Sequence, residues 1–210
     1  MKRIIASIII LTSIVFASFS QTPYERGMTK ALQMWQNKKS TEAIALFERI
    51  ASVEKENWLP NYYIGLIYAT QVLSGLEKEK ASILLEQAQK SLDKAENISN
   101  NNSELFCLQG LINTAWVTLD PMTNGQKLSP SIIESYQKAI SLDPKNPRPI
   151  YLLAQYEINL AKMFGQDTKP FYNRIKVSLK MFDNFKAPSA FYPNWGAERA
   201  SSLLKAQNAN

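Results

Sequence analysis

From residue 23 onward, apolar residues return three and four positions apart and almost never alternate, which predicts amphipathic helices and no sheet. A longer period is laid over this one. Gly65, Gly110 and Ala154 recur at spacings of 45 and 44, and Leu92 and Tyr136 are each followed three residues later by Ala95 and Ala139. Pro60, Ser103, Pro147 and Pro193 repeat at 43, 44 and 46. A period of this size is that of helical hairpins stacked on one another, each covering an apolar face its neighbour would otherwise expose. The chain therefore reads as an all-α solenoid of four hairpins with a C-terminal capping helix.

Helix boundaries follow from local chemistry. Trp58-Leu59-Pro60, Asn101-Asn102-Ser103, Ser129-Pro130, Asn146-Pro147 and Tyr192-Pro193-Asn194 each place a capping side chain or an N-terminal proline before an apolar run. The predicted pairs are 23–37 with 40–54, 59–74 with 78–97, 103–119 with 129–142, and 148–164 with 169–184. A last helix over 194–207, apolar at Trp195, Ala200, Leu203 and Leu204 and largely polar elsewhere, suits a cap. Residues 120–125 and 165–168 read as turn-rich loops, and 185–193 as a proline-containing aromatic segment packed along the stack.

The N-terminus changes the picture. Met1, Lys2 and Arg3 precede an apolar run from Ile4 to Phe19 that ends in Ser18-Phe19-Ser20, the pattern of a secretory signal. Residues 1–20 are expected to be removed on export, leaving 21–210 as one helical-repeat domain, periplasmic or secreted and without stable membrane insertion; an uncleaved anchor is the rival reading. Cleavage leaves 22 basic and 18 acidic residues, a net charge of +4. Because lysines such as Lys78, Lys80, Lys90 and Lys94 interleave with Glu77, Glu79, Glu86 and Asp93, the charge describes solvated helix faces and not a nucleic-acid track.

Candidate chemistry is sparse. The sequence has no histidine, which removes histidine-dependent nucleophilic and proton-transfer mechanisms and histidine metal sites. Cys107 is the single cysteine, set between Phe106 and Leu108 as a small buried hydrophobe. No glycine-rich phosphate loop occurs, so neither a cofactor nor a metal is expected. The paired acids Glu54/Glu56, Glu77/Glu79 and Asp93/Glu96 lie among lysines at polar helix positions, where a raised pKa is not expected, and the chain reads as a non-enzyme.

At this point the residues carry a resemblance. Glu134 to Asn146, with Tyr136, Ala139 and Pro144, resembles the second helix and closing turn of a tetratricopeptide repeat; Asn61 to Tyr68, with Gly65, resembles the first helix. Thr41 to Phe47 and the set Ala88, Leu92, Ala95 are similar to other second helices of that family. The repeats here are longer than the family's usual length of about 34 residues. The resemblance implies a right-handed hairpin solenoid whose first helices line a concave face. The stripe on that face would be Met28, Leu32, Trp35; Tyr62, Leu66, Ala69; Cys107, Leu111, Thr114; and Tyr151, Gln155, Ile158.

For each of these, core packing competes with partner contact; Tyr151 and Gln155 are the pair expected to be exposed. Tyr62, Leu66, Cys107 and Leu111 occupy positions where carboxylate-binding family members supply Lys, Arg and Asn, so no terminal-carboxylate clamp is implied. The expectation is a scaffold for a protein or peptide partner with apolar anchors. Its rival is a small-ligand carrier, for instance of a glycan, in which Trp35, Tyr62, Tyr151 and Trp195 offer stacking faces. Convergence of these aromatics on one pocket, or their spread along a groove, separates the two.

Overall fold

The computed structural model describes residues 21–75 and 78–208. The expected export signal lies outside the described residues. Among the described residues, nine helices follow one another without a strand: α1 Pro23–Gln36, α2 Ser40–Val53, α3 Leu59–Leu73, α4 Lys78–Ile98, α5 Ser103–Leu119, α6 Pro121–Leu142, α7 Pro147–Met163, α8 Lys169–Asn184 and α9 Ala197–Asn208. No helix among them is long and apolar enough to cross a membrane.

The starts are set by capping. Thr22 and Glu25 form a reciprocal capping box, with Glu25 N–H donating to Thr22 Oγ1 at 3.1 Å and Thr22 N–H to the Glu25 carboxylate at 2.7 Å. The side-chain oxygens of Asn102 and Asn146 accept from the Glu104 and Arg148 amides at 2.9 and 3.0 Å, opening α5 and α7. Each helix packs on the next, and α3, α5 and α7 touch in series, so the first helices form an inner layer. α3 and α5 are buried on nearly every side, as helices inside a stack must be. Gly110 permits the α5–α6 approach: a Cβ there would lie 2.6 Å from Tyr136 Cε1.

Two boundaries differ from the sequence expectation. Residues 121–125 are not a loop but the first turns of α6, which runs on through Pro130. Asp120 accepts from the Thr123 amide at 3.1 Å and Pro121 follows as the first helical residue, so the apparent turn residues are a helix start. Tertiary contacts hold this extension, with Asn124 Nδ2 donating to the Trp116 carbonyl at 2.8 Å and the Ser129 and Tyr156 hydroxyls 2.6 Å apart. The cap helix, in turn, begins at Ala197 and not at Asn194. Gly196, at φ +115°, breaks the chain before it, and a Cβ there would lie 2.8 Å from Phe182 Cζ and 3.1 Å from Tyr151 Cε1.

Candidate functional site

Residues 185–196, between α8 and α9, run back across the inner layer as a strap. Phe185 and Tyr192 lie against the Arg148 guanidinium on α7, whose carbon is 4.6 and 5.9 Å from the two ring centres. Tyr63 on α3 donates its hydroxyl to the Phe191 carbonyl at 2.8 Å. Phe191 reaches Tyr24 on α1 edge-on, and Tyr192 meets Trp58 in the same way. The strap thus joins both ends of the solenoid through aromatic contacts.

Beneath it, at the N-terminal ends of α5 and α7, lies a buried polar cluster. Arg148 and Glu104 are fully buried, and Arg148 Nε donates to both Glu104 oxygens at 2.8 and 3.0 Å while Nη2 donates to Oε1 at 2.6 Å. Asn146 Nδ2 donates to Oε1 at 2.6 Å and Tyr62 Oη to Oε2 at 3.2 Å. Burial pushes the Glu104 carboxyl above its usual range against the pull of these donors. Burial also opposes the charge on Arg148, but Glu104 outweighs it and holds the guanidinium above its ordinary value. Trp195 closes the network by donating Nε1–H to Tyr62 Oη at 2.8 Å.

At the other end of the same inner layer the side chains do not meet. The C-terminal halves of α3 and α5, the stretch of α7 from Tyr151 to Asn159 and Tyr136 of α6, with Trp35, Trp195 and the start of α9, line a cavity of about 400 Å³. Its walls are Trp35, Leu66, Leu73, Leu111, Leu152, Tyr136, Tyr151, Tyr156 and Trp195. Thr70, Thr114, Thr118, Gln155, Asn159, Glu198 and Arg199 add the polar positions. A second hollow of about 470 Å³ shares the two tryptophans and is lined by Leu32, Tyr63, Phe191 and Tyr192.

Six residues of the predicted stripe therefore come together in the cavity: Trp35, Leu66, Leu111, Thr114, Tyr151 and Gln155. Leu32 faces the second hollow. Met28 and Tyr62 leave the groove-lining set, because both are fully buried, Met28 in the core and Tyr62 as the centre of the polar network. Tyr151 is 1% exposed where exposure was expected, since Gly196 and Phe182 pack on its ring, while Gln155 is half-buried. Cys107 is buried, and burial pushes its thiol well above the usual range. Among the paired acids, partial burial first and Asp93 second raise the Glu96 carboxyl; three residues apart on α4, the two share a helix surface and do not face each other across a cleft.

Sequence reasoning stopped the stripe one turn too early. Continuing it from Leu66 by four and seven gives Thr70 and Leu73, from Thr114 by four gives Thr118, and from Gln155 by four gives Asn159, all cavity residues, whereas Leu152 and Tyr156 reach the cavity from one position beside the predicted stripe of α7. Glu198 and Arg199 carry no such signal, because α9 enters the site only through the path of the strap.

No protein-family model and no curated protein sequence matches the chain. Among solved structures, the chain is similar to the HusA haemophore from Porphyromonas gingivalis, with a TM-score of 0.78 and 25% identity over 90% of this chain and 94% of that one. It is also similar to a thermophilic tetratricopeptide-repeat protein of Thermus thermophilus, with a TM-score of 0.55 and 16% identity over 87% and 81%. The second likeness establishes a shared helical-repeat fold.

Proposed function

We propose that this protein is a non-enzymatic, exported carrier of a planar, mainly apolar small molecule of the tetrapyrrole class, haem being the leading member. The observation that carries the reading is the convergence of Trp35, Tyr151 and Trp195 on one cavity, the arrangement expected of a carrier. A hollow of about 400 Å³ falls within the range of roughly 300–1,000 Å³ that small-molecule sites occupy. Its aliphatic and indole walls suit a flat macrocycle better than a sugar, which needs a dense set of polar partners. Arg199 at its edge suits the carboxylates such macrocycles carry. Similarity to a haemophore over nearly the whole of both chains supports the same reading. A peptide would need a continuous groove, and the strap covers the N-terminal half of the inner layer.

The test is titration of the purified protein with ferric haem, iron-free protoporphyrin IX, a panel of sugars and apolar peptides. Saturable 1:1 quenching of tryptophan fluorescence by the porphyrins, with none from sugars or peptides, is expected. Saturation by a sugar or a peptide with no porphyrin response would refute the assignment.

A further inference from the structure

We propose that Lys162, Arg199 and Lys205 form a cationic lip at the outer edge of the cavity that draws in and holds the carboxylates of the ligand, so that the protein selects tetrapyrroles with free acid groups over their neutral counterparts. The inference rests on the carrier reading above and names the part of the ligand that this edge recognises.

Helical register places the three cations together. Gln155 and Asn159 line the cavity on α7, and Lys162, seven residues past the first and three past the second, is the next position on their stripe. On α9, Glu198 and Arg199 line the cavity, and Lys205 follows Glu198 by seven. Tyr151 near the start of α7, Phe182 near the end of α8 and Gly196 just before α9 meet at one point. Helix α8 therefore runs back along α7, and α9, packed on α8, sets out again in the direction of α7. Lys162 and Lys205 thus stand past the cavity at the same end, with Arg199 between them and the hollow. All three are exposed, and none forms an ion pair with a described acidic residue.

The distribution of charge along the chain points to the same edge. Residues 147–210 hold nine basic and four acidic side chains, a net +5, whereas residues 21–146 hold thirteen and fourteen, a net −1. The whole cationic excess therefore lies in the unit that carries the lip. Of its four acids, Glu157 is paired with Arg174, Asp167 and Asp183 are exposed, and Glu198 lies in the cavity wall beside Arg199. Cations at the mouth of an apolar hollow focus their field there and raise the encounter rate of an anion. They also answer a solvation problem. A carboxylate carried into the hollow without a partner would be costly, so the acid groups of a bound macrocycle must stay at the rim, where Arg199 can bind one through two nitrogens and the lysines can neutralise the other.

The test compares protoporphyrin IX with its dimethyl ester, the same ring with both acids capped, by stopped-flow quenching of tryptophan fluorescence. The parent is expected to take up the diacid faster than the ester by a factor on the order of five at low ionic strength, with the gap closing as salt rises to about 0.5 M. The triple variant Lys162→Gln, Arg199→Gln, Lys205→Gln should bring the diacid down to the rate of the ester and weaken its binding by a factor on the order of ten, while the ester binds as it does to the parent. Removing two exposed cations from the sealed end instead, Lys138→Gln with Lys145→Gln, should leave both ligands unaffected. Glu198→Gln should tighten the diacid alone. Equal, salt-independent uptake of diacid and ester by the parent overturns the proposal. So does a loss as large in the sealed-end variant, or a loss for the ester equal to that for the diacid in the triple variant. If the parent binds neither compound, the carrier reading itself has failed, an outcome distinct from binding that ignores the acid groups.

Discussion

The inner layer of α3, α5 and α7 has two ends built from the same repeat and finished in opposite ways. At the N-terminal end, Glu104, Arg148, Asn146 and Tyr62 bond to one another and the strap seals them. Farther along the same helices, from Leu66, Leu111 and Tyr151 onward, leucines, threonines and tyrosines leave a cavity of about 400 Å³. Polar groups buried together are costly once a partner is removed, so the sealed end tolerates little change. An apolar hollow at a partly open edge can be filled or reshaped with less cost to the fold. One end thus holds the stack together while the other keeps an unfilled hollow, with Trp195 touching both through its bond to Tyr62 and its place in the cavity wall.

The largest effect should come from breaking the sealed end. Glu104→Ala leaves the Arg148 charge buried without its carboxylate, and a loss of about 3–5 kcal/mol is expected in denaturant unfolding. Replacing both partners, Glu104→Leu with Arg148→Met, should recover most of that loss. Gly110→Ala sits between the two ends. Its Cβ would meet Tyr136 Cε1 at 2.6 Å, so a cost of about 1–3 kcal/mol in thermal unfolding is expected, together with weaker porphyrin binding as the ring shifts into the cavity.

Trp195→Ala should cost about 1–2 kcal/mol of stability, mostly the hydrogen bond to Tyr62 and partial burial, yet lower porphyrin affinity about tenfold or more. The imbalance is the point, and a stability loss without an affinity loss would place the ligand elsewhere. The smallest effect belongs to Gln155→Leu at the open end. Its side chain makes no hydrogen bond with any described residue, so unfolding should move by less than about 0.5 kcal/mol while the quenching titration shifts measurably.

Much of this was legible in the chain before folding. The period near 44 placed the hairpins, Gly110 marked a close crossing, and the stripe through Leu66, Leu111, Thr114, Tyr151 and Gln155 pointed to the layer that holds the cavity. Residues 121–125 were misread because Pro, Asn and Gly describe a turn and a helix start equally well. Only the contacts of Asn124 and Ser129 with neighbouring helices separate the two. For Tyr62 the stripe left core packing and partner contact both open, because periodicity identifies a face without saying what covers it.

By itself, the sequence determined the local and the periodic: where helices begin, which residues repeat, and which catalytic chemistries have no residues to perform them. Tertiary structure decided everything that depends on pairs distant in the chain. Glu104 meets Arg148 across 44 residues, and Trp195 meets Tyr62 across 133. Nothing in the local pattern around any of these four requires its partner. Helical periodicity is a property of neighbours, whereas a buried ion pair and a cavity wall are properties of a path through space, here the path of the strap from α8 back across the stack.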